Sequence, residues 1–190
     1  MRKNRLVGAG IAVVATAAIA APVATTSAVN AVTTPAAAAS ATVSAQAKVE
    51  QRAAKDQTRE LRAKATRKSL VEYAKKRLNG GQYVAGASSP WRFDCSGFTK
   101  IIYKQAAGIN IPHYSGAQLR MKKGKRVSKN NLKKGDLLLW GSGGSQHVSM
   151  YIGRGRMIGA NNPSRDVVIE SINSSYWKPR YAGARRLVFG

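Results

Sequence analysis

The sequence has 190 residues, enough for one domain of ordinary size and a non-globular extension. Its 32 Lys and Arg against 8 Asp and Glu give a formal net charge of +24, which implies a polyanionic partner. A single cysteine excludes a disulfide framework. Two histidines and scattered carboxylates show no metal-ligand spacing, so we expect neither a metal site nor another cofactor.

The N-terminal residues have the order of a secretory signal peptide. A basic start precedes an apolar run from residue 6 to about residue 24, and small residues follow, which predicts a signal peptide over residues 1–31. The alternative is a retained membrane anchor. The run is rich in Ala and Val and contains Pro22, so we favour cleavage, with no stable membrane insertion of the mature protein.

Residues 32–68 are predicted to lie outside the globular domain. Up to residue 47 they are mostly Ala, Thr, Ser and Val without a charge, which is typical of a flexible linker. From Lys48 the composition changes to Lys, Arg, Glu, Gln and Ala, which favour helix, but apolar positions are too few for a buried stripe. This segment is therefore a basic arm, either a solvated helix or disordered.

The globular domain is expected to comprise residues 69–190 and to begin with two helices. Ser69 and Glu72 have the spacing of a capping box at the start of the first helix, and a Gly-rich turn after residue 78 would end it. The second helix is predicted to start at Asp94, a favourable N-cap, and to close at Gly108.

The second half of the domain has the pattern of β-strands. Short apolar runs between turn residues predict strands at residues 137–140, 147–152, 157–160, 167–170 and 185–189. Helices first and hairpin-linked strands later are typical of the α+β class. We therefore expect N-terminal helices packed on an antiparallel β-sheet.

Cys95 is the candidate nucleophile. It has no intrachain partner, and a lone thiol in an exported chain is a dimer link, an accident or a reactive group. Behind Asp94 it would lie in the first turn of a helix. Unpaired N–H groups and the helix dipole favour a thiolate there, so we expect the pKa of Cys95 to be lowered. The alternative is a buried, inert cysteine.

His147 is the candidate base for this thiol. It opens a predicted strand after a Gly- and Ser-rich turn, so a sheet could carry it to the start of the helix. The second histidine, His113, lies in a loop that would line a groove or cap the next helix. We therefore assign the role of base to His147.

A third group normally orients the imidazole by accepting its other N–H. On the strand that returns beside His147, Gly159 and Asn161 would share one face, and Gly159 has no side chain. Asn161, its neighbour Asn162 or a backbone carbonyl could orient the ring. Asp166 and Glu170 are expected to be ordinary solvent-facing residues near a turn.

Four segments together resemble the NlpC family of cell-wall cysteine peptidases. They span the predicted domain, and their order and separation make the combined signal specific. The segments are Tyr83, Asp94-Cys95-Ser96-Gly97-Phe98, Leu132-Lys133-Lys134-Gly135-Asp136-Leu137 and His147-Val148-Ser149-Met150-Tyr151-Ile152-Gly153.

The resemblance implies a papain-like α+β fold and a Cys-His mechanism. Cys95 would be the nucleophile and His147 the general base, and Tyr83 would bind substrate or stabilise the oxyanion. The implied substrate is peptidoglycan, cut between D-glutamate and a diamino acid of the stem peptide. We also expect a set of residues to bind substrate, namely Trp91, Asp94, Ser96 and His113.

One position departs from the family pattern. The family usually places a His or another polar side chain where this sequence has Gly159, which leaves the orienting role to Asn161, Asn162 or the backbone. Two alternatives stay open. One is a wall amidase or transpeptidase on the same Cys-His pair. The other is a non-catalytic, cationic cell-wall-binding protein in which Gly159 marks a decayed site.

Export also decides which polyanion the charge would meet. Nucleic acid is the usual partner of a strongly basic protein, but an exported protein first meets phosphate-bearing wall polymers, acidic lipids and the carboxylates of wall peptides. We therefore expect a secreted, wall-associated monomer that binds peptidoglycan, with anionic wall polymers as a further partner and no nucleic acid. The alternative is that the charge only keeps the protein soluble.

Overall fold

A computed structural model describes the backbone of residues 36–190 and the side chains from residue 43 onward. The predicted signal peptide, residues 1–31, lies outside the described residues. The helices are α1 (Ala36–Lys75), α2 (Cys95–Ala107) and α3 (Ser115–Arg120). The strands are β1 (Gln82–Tyr83), β2 (Arg92–Phe93), β3 (Lys125–Val127), β4 (Leu137–Trp140), β5 (His147–Gly153), β6 (Arg156–Ala160), β7 (Val167–Ser171) and β8 (Tyr181–Arg186).

Helix α1 is continuous through the boundary predicted at Ser69. Its backbone is already helical at Ala36, so the linker expected to be flexible is helical from that residue onward, and the basic arm is helical rather than disordered. The capping box predicted at Ser69 is wrong, because Ser69 lies inside the helix and its hydroxyl donates to the carbonyl oxygen of Ala65 (3.2 Å). The Ala-, Lys- and Glu-rich residues before Ser69 favour helix and carry it through.

The last turns of α1 bury one face. Ala63, Leu70, Val71 and Ala74 are buried, and so is Arg67 between them. Before residue 63 every described side chain of the helix is exposed. No helix among the described residues is long and apolar enough to cross a bilayer.

Helix α2 has the two ends that the sequence predicts. Asp94 caps its first turn, and Gly108 takes the left-handed conformation at its C-terminus (φ 65°). Its buried face carries Phe98, Ile102 and Tyr103, and the Tyr103 hydroxyl donates to the carbonyl oxygen of Gly135. These contacts hold α2 against the sheet.

The main sheet is antiparallel, with strand order β3-β8-β4-β5-β6-β7. The predicted α+β class is therefore confirmed. The last strand was expected at residues 185–189 but lies at Tyr181–Arg186, and β3, which pairs with it, has too few apolar residues to be predicted. A two-stranded parallel pair, β1 with β2, precedes α2.

Strand β4 is buried on both faces, which explains its unbroken apolar sequence. Leu137 and Leu139 face the cluster shared with α2, whereas Leu138 and Trp140 face a second cluster with Trp177. Helix α2 packs on β5 and β6. This packing brings the first residue of α2 to the beginning of β5.

Candidate active site

Cys95 is the first residue of α2, directly behind its N-cap. Asp94 Oδ1 accepts hydrogen bonds from the backbone N–H of Gly97 (2.7 Å) and the hydroxyl of Ser96 (2.9 Å), so the predicted N-cap is confirmed. The backbone N–H groups of Cys95, Ser96 and Val148 approach the Cys95 sulfur. Since Val148 follows His147 in β5, the fold brings the thiol to the segment that carries the candidate base.

Asp94 also joins two loops to the start of α2. Its Oδ2 accepts from the backbone N–H of Gly86 (3.1 Å), and both carboxylate oxygens lie 3.1 Å from His113 Nε2. Burial raises the pKa of Asp94, but the bonds from Gly97, Ser96 and His113 outweigh it and hold this pKa below its usual range. Asp94 is therefore a charged anchor for the loops around Cys95.

Gly97 is required by a close approach rather than by backbone freedom. A Cβ at this position would lie 2.1 Å from the carbonyl oxygen of Ala87 and 3.0 Å from His113 Nε2. The same Ala87 carbonyl accepts from the N–H of Asp94 (3.0 Å). The Asp-Cys-Ser-Gly motif thus lets the loop before β2 pack directly on the first turn of α2.

The pKa of Cys95 is raised, not lowered as expected from its place at a helix start. Burial of the thiol is the largest cause, and the negative charge of Asp94 adds to it. The N–H groups of Val148, Ser96 and Cys95 act in the opposite direction without cancelling these effects. The resting sulfur is therefore a thiol that needs a base.

His147 begins β5, where it pairs with Trp140, and it is buried. Burial lowers its pKa to about 4, and the negative charge of Glu170 offsets part of this shift. The imidazole is therefore neutral at pH 7 and able to accept a proton. A neutral imidazole in the strand whose backbone meets a protonated thiol can serve as the base for nucleophilic chemistry.

Among the side chains that the structure describes, no polar group orients His147 by a hydrogen bond. A Cβ at Gly159 on β6 would lie 3.5 Å from His147 Nε2, so this ring nitrogen faces the bare backbone of Gly159. Within residues 43–190, neither ring nitrogen of His147 takes part in a side-chain hydrogen bond. Asn161, expected to orient the ring, donates instead to Glu170 Oε2 (3.3 Å), and Asn162 accepts from Ser164 in a turn.

The His147 ring packs against an aromatic side chain that the sequence did not single out. The ring centroids of His147 and Trp177 lie 5.0 Å apart at an interplanar angle of 30°. Trp177 Nε1 donates to Glu170 Oε2 (2.8 Å), and Glu170 Oε1 pairs with Arg165 (2.7 Å). The only sequence signal for Trp177 is an aromatic pair inside an otherwise polar stretch between two strands.

The expectation that Asp166 and Glu170 simply face solvent is wrong. Asp166 Oδ1 accepts from the backbone N–H of Tyr83 (2.7 Å). The backbone of Asp166 has a positive φ of 48°. The side chain of Glu170 is only 18% exposed, because Trp177 and Arg165 cover its carboxylate. Both acids therefore connect the far edge of the sheet to the candidate site.

Tyr83 lies close to the candidate nucleophile. Burial raises the pKa of the Tyr83 phenol, and the negative charges of Cys95 in its thiolate form and of Asp94 raise it further. The backbone bond to Asp166 holds β1 in place. Tyr83 therefore keeps a protonated hydroxyl, a hydrogen-bond donor, beside Cys95.

The residues expected to bind substrate divide into two groups. Trp91 is 47% exposed and lies over the guanidinium of Arg77 (4.7 Å), so its indole is open to a ligand. Ser96 is buried and its hydroxyl is bonded to Asp94, which places it under the site rather than in a groove. His113 and Asp94 are part-buried and bonded to each other.

The described residues hold no cluster of three or more His, Cys, Asp or Glu side chains suited to a metal ion. The chemistry available among them is that of a thiol, a neutral imidazole, a phenol and backbone N–H groups. This is the set that acyl transfer through a covalent intermediate requires.

Residues 80–186 match the model of the NlpC/P60 family. The chain is 45% identical over 111 residues to the gamma-D-glutamyl-L-lysine dipeptidyl-peptidase of Bacillus cereus, covering 56% of this chain and 32% of that protein. It is 39% identical over 110 residues to the murein DD-endopeptidase MepS/murein LD-carboxypeptidase of Escherichia coli, covering 57% of each. The chain thus spans a third to just over half of these relatives.

Solved structures give the same result. A Bacillus cereus NlpC/P60 family protein superposes with a TM-score of 0.60 at 41% identity, covering 65% of this chain and 40% of that one. The NlpC/p60 domain of peptidoglycan hydrolase SagA superposes with a TM-score of 0.55 at 35% identity, covering 63% of this chain and 97% of that domain. The papain-like fold expected from the sequence is confirmed.

Proposed function

The chain belongs to the NlpC/P60 family, and from this membership we propose that it is an exported cysteine peptidase that hydrolyses stem-peptide bonds of peptidoglycan. The observation that carries the proposal is the position of Cys95. It lies at a capped helix start, against backbone N–H groups from α2 and from Val148 of β5, the residue that follows His147. This geometry supports nucleophilic attack by the sulfur on a carbonyl carbon.

The bond proposed for cleavage joins D-glutamate to a diamino acid. Support comes from relatives at 45% and 36% identity, which are named for γ-glutamyl bonds, a gamma-D-glutamyl-L-lysine dipeptidyl-peptidase and a gamma-DL-glutamyl hydrolase. Others are named DD-endopeptidases, which act on a different wall bond. The basic surface suits the substrate, because stem peptides carry free carboxylates.

Acylation begins with a proton transfer. His147 takes the thiol proton of Cys95 as the sulfur attacks the scissile carbonyl, and a C–S bond forms while the carbonyl oxygen becomes an oxyanion. The Cys95 N–H and the Tyr83 hydroxyl are the donors proposed for this oxyanion. The imidazolium of His147 then protonates the leaving nitrogen, and the C–N bond breaks to release the diamino acid side as a free amine.

Deacylation reverses these roles. Neutral His147 takes a proton from a water molecule as the water oxygen attacks the thioester carbonyl. The C–S bond then breaks, the sulfur recovers the proton from the imidazolium, and the D-glutamyl side leaves as a carboxylic acid. Trp91 and His113 are proposed to contact the stem peptide, Ser96 to support Asp94, and Asn161 to act on His147 only through Glu170.

The exposed part of α1 supports anionic wall polymers as a further partner. Lys48, Arg52, Lys55, Arg59 and Arg62 alternate at spacings of four and three residues, so they lie on one helix face, and all are exposed. We call these five residues the basic stripe. Among residues 43–190, the ion pairs that involve α1 use other cations. The stripe is therefore free to meet an external polyanion.

Part of the basic stripe borders a groove. Lys55, Arg59 and Arg62 line it together with Val188 and Phe189, and its volume is about 580 Å³. Cations about one helical turn apart offer a repeating set of contacts to a chain of phosphates. We propose a phosphodiester polymer of the wall as the partner, in a monomeric, wall-associated protein from which the signal peptide, residues 1–31, is removed.

Digestion of purified peptidoglycan, followed by mass spectrometry of the products, tests the proposed function. A new diamino acid amine paired with a new D-glutamyl carboxylate identifies the proposed peptidase. A new L-alanine amine identifies an amidase, and an exchanged acceptor amine identifies a transpeptidase. Salt-sensitive wall binding without any released fragment would select the non-catalytic, cationic wall-binding protein.

A further inference from the structure

We propose that Trp177 and Glu170 together hold the imidazole of His147 in its reactive orientation, replacing the polar side chain that Gly159 lacks. The inference rests on the proposed function and deepens it, because it names the residues that position the base. Both act through the ring of His147, so they are positioning residues. We call the pair the Trp177–Glu170 clamp.

The first observation is the stacking of His147. Its ring lies 5.0 Å from the Trp177 ring, centroid to centroid, and the two planes differ by 30°. A tilted ring-on-ring contact of this kind hinders rotation of the imidazole about its Cβ–Cγ bond, the motion that a third polar residue normally prevents. Gly159 leaves Nε2 without a side-chain partner, so stacking is the restraint that this region of the structure supplies.

The second observation is that Trp177 is itself held in place. It is buried, and its ring meets Trp140 at 5.1 Å and Tyr176 at 4.8 Å. Its one polar atom, Nε1, donates to Glu170 Oε2 (2.8 Å). The indole is therefore held by two aromatic rings and by one hydrogen bond, and it can act as a rigid support for a neighbouring ring.

The third observation is the fixation of Glu170. Arg165 pairs with Oε1 at 2.7 Å, and Asn161 donates to Oε2 at 3.3 Å. Glu170 is the charged group that raises the pKa of His147 against the effect of burial. The clamp therefore has two effects: it restrains the ring by stacking, and it favours the imidazolium that forms during each transfer step.

The experiment compares Trp177→Phe, Trp177→Leu and Glu170→Gln with two controls in the full chain. Tyr176→Phe keeps an aromatic ring against Trp177, and Glu72→Gln removes an equal charge from an exposed helix position. The readouts are kcat and KM on peptidoglycan stem peptides and the pKa of each imidazole by NMR. His113 is the internal reference, because the chain has only these two histidines.

We expect Trp177→Leu to lower kcat by roughly 10- to 100-fold with little change in KM, because a misplaced base slows chemistry more than binding. Glu170→Gln lowers kcat by about tenfold and moves the pKa of His147 further down, while the resonances of His113 stay unchanged. Trp177→Phe keeps a stacked ring but lacks the N–H that donates to Glu170, so we expect its kcat to lie between those of Trp177→Leu and Glu170→Gln. Both controls retain wild-type kcat.

A rescue distinguishes positioning from loss of fold. A Cβ at Gly159 lies 3.5 Å from His147 Nε2, so a serine hydroxyl there comes within hydrogen-bonding reach. The same Cβ lies 3.1 Å from Ser149 Cβ, which must shift slightly in both the serine and the alanine variant, so alanine is the matched control that adds no polar atom. In the Trp177→Leu background, Gly159→Ser is expected to restore kcat several-fold and Gly159→Ala to restore none.

Unchanged kcat and unchanged His147 pKa in both Glu170→Gln and Trp177→Phe would overturn the clamp. A wild-type chain that releases no fragment would instead contradict the proposed function, and the NMR pKa values would still test the clamp.

Discussion

Arg67, in the middle of the last turns of α1, donates to the carbonyl oxygen of Val188, near the other end of the chain (3.2 Å). The guanidinium also reaches Glu60 Oε1 (3.4 Å), and the residue is buried. The turn of α1 just before Ser69, which carries Ala63 and Arg67, is therefore part of the folded core rather than of an attached arm. This contact moves the proposed start of the domain from residue 69 to about ten residues earlier.

A chain that begins at residue 69 should be less stable than one that begins at residue 58. The shorter chain loses Arg67 and Ala63 and leaves the Val188 carbonyl without its donor, at a cost of roughly 2 to 4 kcal/mol in the free energy of unfolding. Urea denaturation followed by circular dichroism measures the difference. Arg67→Ala in the longer chain is the matched control and should lose about half as much. Equal unfolding midpoints for the two lengths would restore the boundary at residue 69.

The pH profile of kcat/KM should be broad. His147 must be neutral to accept the thiol proton, and its pKa of about 4 puts the acid limb near that pH. Burial raises the pKa of Cys95, so the alkaline limb, where the proton needed by the leaving amine is lost, lies at higher pH than for an exposed thiol. Initial rates on a stem peptide between pH 3.5 and 10 test this. An acid limb near 6.5 would mean that His147 is solvated in the active enzyme.

The same burial makes stability depend on pH. The pKa of His147 falls from 6.5 to about 4 on folding, so between these values the unfolded chain binds a proton that the folded chain does not. Stability should therefore be full above pH 6.5 and fall by roughly 3 kcal/mol as the pH drops to 4. Urea unfolding at several pH values gives the slope, and His147→Gln should flatten it. A slope unaffected by that substitution would assign it to other groups.

The basic stripe should bind polyanions beyond what the net charge explains. Lys55→Gln/Arg59→Gln/Arg62→Gln is expected to weaken binding to inorganic polyphosphate and to lower the slope of log K against log salt by about 2. Fluorescence anisotropy with labelled polyphosphate measures both quantities. The matched control removes three exposed lysines elsewhere, as Lys104→Gln/Lys122→Gln/Lys123→Gln. Equal losses of polyphosphate affinity in the two variants would mean that the basic stripe binds only through the net charge of the protein. Tighter binding to acidic vesicles or to DNA than to polyphosphate would contradict the proposed wall polymer as the partner.

Local chemistry made part of this fold predictable from the sequence. An Asp cap and a Gly terminator define α2, and the apolar runs from β4 to β7 need no distant information. The place of Cys95 behind Asp94 and of His147 at a strand start follows from the same signals. In each of these features, the residues that define the start or end of the element lie within the same segment of sequence.

The remaining features depend on contacts between distant segments. The continuity of α1 is supported by Arg67 and Val188, which lie 121 residues apart. The raised pKa of Cys95 comes from burial by the assembled sheet, which outweighs the local helix start. Trp177 reaches His147 from a loop 30 residues later, and only the closed sheet brings the two rings together. No spacing rule in the sequence encodes such pairings.

The most direct test of the proposed peptidase is wall digestion by the wild-type chain and by Cys95→Ala, with iodoacetamide labelling in parallel. Because Cys95 is the one cysteine in the chain, a single alkylated sulfur reports on the site itself. The account predicts that the wild type releases stem-peptide fragments, that Cys95→Ala retains its fold but is at least about a thousandfold slower, and that one alkyl group per chain stops release. Fragment release by Cys95→Ala at the wild-type rate would contradict it.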